Sequence, residues 1–136
     1  LSLSHNRFHA WPRIRKCWAL RELRLNGNKL LSLPRDTADY PPSLSLLDIG
    51  HNALKGWDEI MGVTQNLRHL TSLTISGNPF WSIEDYKEAA QLIKSIPTLQ
   101  VLNSADAGRK LGGIERSMLP NKKNFSQYSL QYNHLL

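Results

Sequence analysis

Short apolar runs recur along the chain in a fixed frame, in which leucine or isoleucine alternates with polar residues and an asparagine follows. The frame has the form L-x-L-x-x-N-x-L, and its four copies span residues 1–8, 23–30, 47–54 and 73–80. Successive asparagines lie 22, 24 and 26 residues apart. A period of this length is typical of a solenoid, in which each coil buries its apolar side only by stacking on its neighbours.

Each frame predicts a short strand. Side chains alternate between the two sides of a strand, so Leu23 and Leu25 should face the core, while Glu22, Arg24 and Asn26 line the opposite side. Stacking the coils then places the strands side by side in a parallel sheet. The pattern therefore predicts an α/β solenoid with a curved parallel sheet and an irregular or helical convex side.

The four frames resemble the leucine-rich repeat family. The stretch from Asn78-Pro79 through Tyr86 to Leu102-Asn103 also resembles the C-terminal cap of the family's intracellular branch, although Asn103 stands where that pattern more often has aspartate. The cap occurs in the spliceosomal A-prime protein, the protein-phosphatase-1 regulatory repeat subunit and tubulin-folding cofactor E. The resemblance implies about four repeats plus a cap over residues 1–103, followed by a basic extension over residues 104–136.

The frame asparagines lie where the chain leaves each strand, and the resemblance implies that they stack as a ladder. A carboxamide both donates and accepts hydrogen bonds, so it can satisfy backbone groups that no strand partner reaches. We therefore expect a structural role for them. A further apolar position follows each frame by three residues and predicts an apolar stack on the convex side: Trp11, Leu33, Trp57 and Ile83.

The convex segments differ in their helical character. Residues 34–43 contain three prolines, which excludes a regular helix there. Helices are predicted over residues 58–70 and, with better apolar periodicity, over residues 83–96. The second helix begins with Ser82 and Asp85 in the spacing of a capping box.

The net charge of +6 is spread unevenly along the chain. Residues 1–35 carry +7, residues 36–103 carry −4 and residues 104–136 carry +3. Basic ends suit contact with nucleic acid or with an acidic protein surface. The candidate residues for such contacts are Arg13, Arg15, Lys16, Arg21, Arg109, Lys110, Arg116, Lys122 and Lys123.

Catalytic and metal chemistry find no support in the residue pattern. His5 and His51 occupy the same slot two coils apart, so they should lie roughly 10 Å from each other, too far to share one zinc ion. No run is long and apolar enough to cross a bilayer. We therefore expect no metal, cofactor, small-molecule substrate, membrane contact or enzymatic activity.

Cys17 is the only cysteine of the chain, so it cannot form an internal disulfide. A lone thiol favours a reducing compartment, and we expect a buried apolar role for it in an intracellular protein, nuclear or cytoplasmic. Because Leu1 already lies on a predicted strand, we also expect further residues upstream of this sequence.

The remaining candidate is the inner, concave face of the sheet. It is small and polar with Leu46 as its apolar member, and it suits a helix or loop of another protein. The candidate contact residues are Glu22, Arg24, Asn26, Leu46, Asp48, Ser72 and Thr74. The sequence therefore predicts a protein-interaction scaffold within a larger assembly. Two alternatives stay open: a ribonucleoprotein subunit whose basic ends contact RNA, and a phosphatase or chaperone regulatory module.

Overall fold

Three of the repeated frames supply the first three strands of a five-stranded sheet. The computed structural model describes residues 1–14, 16–62, 67–80, 86–102 and 114–115. The strands lie in sequence order across the sheet, with the first four parallel and the last antiparallel to its neighbour. They are β1 (Glu22–Arg24), β2 (Leu46–Asp48), β3 (Ser72–Thr74), β4 (Val101–Leu102) and β5 (Ile114–Glu115).

The strand register follows the frame of the sequence. Leu23 pairs with Leu47, and Leu47 pairs with Leu73, so equivalent positions of successive coils lie side by side. The first frame joins through a parallel bridge between Ser2 and Arg24. The predicted parallel sheet of stacked coils is therefore confirmed.

The apolar side of strands β1 to β4 faces a common core. Six frame residues are at most 1% exposed: Leu23, Leu25, Leu47, Ile49, Leu73 and Ile75. Leu3 of the first frame is half-buried against the same cluster. Ile96, Leu99 and Leu102 continue the core past the last frame, and each is 0% exposed.

In the described ranges, two helices and one 3-10 turn lie between the strands. Helix α1 spans Trp57–Met61, helix α2 spans Tyr86–Ser95, and the turn spans Thr37–Asp39. The predicted second helix is confirmed over the range of α2, while Ser82 and Asp85 lie outside the described residues.

The prediction of one helix over residues 58–70 is wrong. Helix α1 ends at Met61, and residues 67–70 form no helix. Gly62 follows the last helical residue and donates its backbone N–H to the Asp58 carbonyl. A glycine loses more backbone entropy in a helix than other residues do, which favours an end at this position.

The predicted apolar stack on the convex side is present at its described positions. Leu33 is buried, while Trp11 and Trp57 are half-buried and pack against the core. The ring of Trp11 lies 5.0 Å from that of Tyr40, and Trp57 lies 5.1 Å from Phe80. Ile83, the fourth predicted member, lies outside the described residues.

The frame asparagines form the predicted ladder. Asn52 shows the geometry: its Nδ2 donates to the carbonyl of Ile49 in its own coil and to that of Leu25 in the preceding coil. Its Oδ1 accepts the backbone N–H of Leu30. Asn28 and Asn78 make the equivalent bonds, and all three side chains are buried. Because the bonds cross between coils, the ladder stabilises the stacking itself.

The slot before each asparagine alternates between histidine and glycine. His5, Gly27, His51 and Gly77 all have positive φ, between 51° and 75°. The imidazole of each histidine covers the glycine of the next coil: a Cβ built on Gly27 would lie 2.5 Å from His5 Nδ1, and one on Gly77 would overlap the ring of His51. The alternation therefore reflects packing between neighbouring turns, which explains both glycines.

Gly77→Ala should lower the free energy of unfolding by about 2 kcal/mol, measured by urea denaturation. A left-handed conformation costs a residue with a Cβ roughly 1–2 kcal/mol, and the His51 ring must also move. The double variant His51→Ala/Gly77→Ala should lose less than the sum of the two single losses, because the overlap is gone. A loss in the double variant equal to the sum of the two single losses would contradict the contact between His51 and Gly77. Gly56→Ala is the control for adding a methyl group, since φ is −152° there and the nearest atom lies 3.9 Å from the built Cβ.

Two residues of the C-terminal extension contribute to the sheet. Ile114 and Glu115 pair with Leu102 and Val101 and cover the edge that β4 would otherwise expose. The other residues of the extension lie outside the described part of the chain. Within the described residues, no helix has the length and apolar character needed to cross a membrane.

Candidate protein-docking surface

The polar side of the strands forms a continuous face, here called the inner face. Strand alternation places its residues opposite the core leucines, and the register aligns them in rows across the coils. Above the middle of this face lies a cavity of about 480 Å³. Its lining residues are Ser4, His5, Arg24, Asn26, Asp48, His51, Thr74 and Ser76.

The most exposed charges of the inner face lie on β1. The Arg24 guanidinium and the Glu22 carboxylate form an ion pair of 3.0 Å, with side chains 41% and 56% exposed. An exposed ion pair contributes little to stability because water screens it. Both groups can therefore change partner at low cost, which is useful at a docking surface.

Asp48 and Thr74 were predicted as contact residues of the inner face, but both are buried, at 9% and 6% exposure. The physical reason is their central position: in the strand register Asp48 lies between Arg24 and Thr74. The Asp48 carboxylate also accepts the backbone N–H of Gly50 at 3.0 Å. These two residues form the floor of the cavity, while the residues around them supply its accessible rim.

The other predicted contact residues of the inner face are partly accessible. Asn26, Leu46 and Ser72 are half-buried. The Asn26 carboxamide accepts a hydrogen bond from the Ser4 hydroxyl, which links the first two coils across the face. The half-buried side chain of Leu46 adds an apolar contact beside the Glu22–Arg24 pair, since Leu46 and Glu22 are register partners.

The predicted basic residues are only partly described. Arg13, Lys16 and Arg21 are exposed. The remaining six lie outside the described residues: Arg15, Arg109, Lys110, Arg116, Lys122 and Lys123. The structure therefore brings together Arg13 and Lys16 in the first convex segment. Contact of the basic ends with RNA or with an acidic partner stays a prediction.

A second cavity, which the sequence pattern did not reveal, lies on the convex side between two loops. Its volume is about 820 Å³, and we call it the convex groove. Its lining residues are Trp11, Pro12, Arg13, Lys16, Cys17, Pro34 and Asp39. Cys17 is half-buried in this lining, which corrects the expectation of full burial. Contact between neighbouring convex loops produces no periodic pattern in the sequence. The sequence signal for this groove was therefore limited to the mixture of tryptophan, proline and basic residues in the loops.

The described residues contain no group of three or more histidine, cysteine, aspartate or glutamate side chains that could hold a metal ion. His5 and His51 instead pack on the glycines of the next coils. The contacts of these histidines are thus accounted for by packing between turns.

Comparison with known proteins points to one family. The sequence model of the leucine rich repeat family matches residues 19–80. Chaoptin from Drosophila melanogaster is 39% identical over 66 residues, which is 48% of this chain and 5% of chaoptin. Tubulin-folding cofactor E from Arabidopsis thaliana is 33% identical over 92 residues, which is 68% of this chain and 17% of that protein. The chain thus spans a small part of the length of these relatives.

A solved structure shares the architecture. A chain in the crystal structure of the Drosophila melanogaster SNF/U2A′ complex matches with a TM-score of 0.55 and 15% sequence identity. The match covers 84% of this chain and 63% of the other. At this identity the likeness concerns the fold alone.

Proposed function

Because the chain is a leucine-rich repeat protein, we propose that it is a non-enzymatic scaffold that binds a segment of a partner protein on its inner face. Repeats of this kind generally mediate protein–protein interaction through the extended surface that stacking creates. The proposal concerns which surface is used and which residues make the contact.

The cavity over the inner face is the observation that supports the proposal most directly. Its floor is polar and rigid, because Asp48 and Thr74 are buried residues of strands whose opposite side packs into the apolar core. Arg24 lines the cavity, and its exposed ion pair with Glu22 lies beside Leu46 on the same face. A rigid, mostly polar surface with a few charged and apolar contacts suits an oriented helix or loop.

Arg24→Glu should reduce capture of the natural protein partner from an extract of the source cells by at least about tenfold. The substitution replaces an attractive charge at the rim with a repulsive one, and tenfold corresponds to about 1.4 kcal/mol of binding free energy. The measurement is quantitative affinity capture with mass-spectrometric identification of the protein that the wild-type chain retains.

The matched control is Lys55→Glu, which makes the same change of charge at an exposed residue outside the inner-face cavity. Its capture should equal that of the wild type, and urea denaturation should show both variants folded. Equal capture by wild type and Arg24→Glu would reject the inner face as the docking surface.

A second candidate function is a subunit of a ribonucleoprotein assembly. Its support is the exposure of Arg13, Lys16 and Arg21, together with the shared fold of a chain in the SNF/U2A′ complex. Contacts with phosphates release counterions, so retention on a polyanion column should fall steeply with salt. Retention without a salt slope counts against RNA contact.

A third candidate is a phosphatase or chaperone regulatory module. Its support is the 33% identity with tubulin-folding cofactor E over 92 residues. No described residue selects this function over the first proposal, so the identity of the captured partner is what distinguishes them.

A further inference from the structure

We propose that the convex groove is a second docking site, and that it takes a short acidic segment of a partner protein carrying one apolar anchor side chain. The groove lies on the side of the sheet opposite the inner face, because Trp11 packs against the core that the strands cover. The proposal therefore goes beyond the inner-face scaffold and stands or falls separately from it.

The apolar wall of the groove is held in place by its own contacts. Trp11 donates its Nε1–H to the Asp39 carbonyl at 2.9 Å, and its ring lies 5.0 Å from that of Tyr40. The Tyr40 hydroxyl donates to the Pro34 carbonyl at 2.6 Å. Burial, with the Asp39 and Glu59 carboxylates adding to it, raises the pKa of Tyr40, so this hydroxyl stays a donor. The wall is thus preformed, which lowers the entropy lost on binding.

The cations at the groove are available to a ligand. Arg13 and Lys16 are exposed, and neither forms an ion pair with a described carboxylate. They lie in the strongly basic first part of the chain, residues 1–35, whose charge is +7. Charge complementarity therefore calls for an acidic occupant.

An exposed tryptophan beside the groove is the second, independent observation. Trp18 directly follows Cys17 of the lining and is 71% exposed. Tryptophan and arginine are the residue types most enriched among the energetic centres of protein interfaces. An exposed indole next to unpaired cations is therefore consistent with a peptide ligand that covers both.

A protein segment fits the groove better than a nucleic acid does. An acidic residue, Asp39, lines the groove together with the two cations, whereas a nucleic acid would bring a phosphate at every nucleotide. A peptide can place its carboxylates at Arg13 and Lys16 and an apolar side chain against Pro12 and Pro34.

The test uses Cys17, the single thiol of the chain, as a reporter of occupancy. The rate of its alkylation by iodoacetamide is measured with three probes: a peptide with glutamates flanking a Leu-Phe pair, the same peptide with glutamines, and polyuridylate. The glutamate peptide should slow alkylation in a saturable manner, and the other two probes should not. Equal protection by the glutamine peptide, protection by polyuridylate alone, or no protection by any probe would each overturn the proposal.

Two variants of equal charge change localise the effect. Lys16→Glu should raise, by at least about tenfold, the concentration of the glutamate peptide that gives half-maximal protection of Cys17. Lys29→Glu, at an exposed residue outside the lining, should change this concentration less than about twofold. Similar losses of protection in both variants would show that the peptide is attracted by the overall positive charge, and would overturn the groove as the binding site. Arg24→Glu should keep full protection, so a failure of the inner-face proposal remains distinguishable from a failure of this one.

Discussion

Asn52→Asp should lower the free energy of unfolding by about 4 kcal/mol, the largest loss that we expect from a single polar substitution. A carboxylate cannot donate, so the carbonyls of Leu25, Ile49 and Gly50 each lose one of two hydrogen bonds. The second donor to each, which remains, is Asn28, Asn78 or the backbone N–H of Gly27. Each of the three lost hydrogen bonds costs about 0.5–1.5 kcal/mol, and the new negative charge is buried against these carbonyl oxygens, which adds to the loss. Urea denaturation of the variant and the wild type measures the difference.

Asn6→Asp is the matched control for this loss. The two asparagines occupy the same slot of the frame, but Asn6 is exposed and donates only to the carbonyls of Leu3 and Ser4. Water can replace those bonds, so the loss should stay below about 1 kcal/mol. Equal losses at the two positions would contradict the role assigned to burial and to the bonds between coils.

Leu47→Ala should lower the free energy of unfolding by about 3 kcal/mol, the larger of the apolar effects. Leu47 is 1% exposed and pairs with Leu23 and Leu73, so its removal leaves a cavity at the centre of the stack. Leucine-to-alanine changes in protein cores cost about 2–5 kcal/mol, depending on how far the surroundings collapse.

Leu31→Ala provides the comparison for Leu47→Ala in the same denaturation experiment. Leu31 is 54% exposed, so the same truncation removes little buried apolar area. Its loss should remain below about 1 kcal/mol. A loss at Leu31 as large as that at Leu47 would mean that the assigned core does not carry the stability of the stack.

The repeated frame was sufficient to predict the fold. Period-2 alternation placed Leu23, Leu47 and Leu73 on the core side, and the 22- to 26-residue period stacked them. The asparagine ladder was expected from the resemblance to the repeat family, and the hydrogen bonds of Asn52 confirm it. These features repeat, so each copy supports the others.

Features without a repeat escaped the sequence argument. Alternation gives the side of the sheet on which Asp48 lies but does not give its exposure, which depends on Arg24 and Thr74 in the neighbouring strands. Helix α1 ends at Met61, directly before Gly62, although the spacing of the apolar residues predicted a longer helix. The convex groove arises where two loops from successive coils meet, and such a contact has no period to detect.

Site-specific photo-cross-linking tests the central claim most directly. A photoreactive phenylalanine analogue is placed at Leu46 on the inner face and, in a separate variant, at Lys55 outside it. The account predicts that the natural partner cross-links to the chain from position 46 and not from position 55. Cross-linking from position 55 with none from position 46 would contradict docking on the inner face.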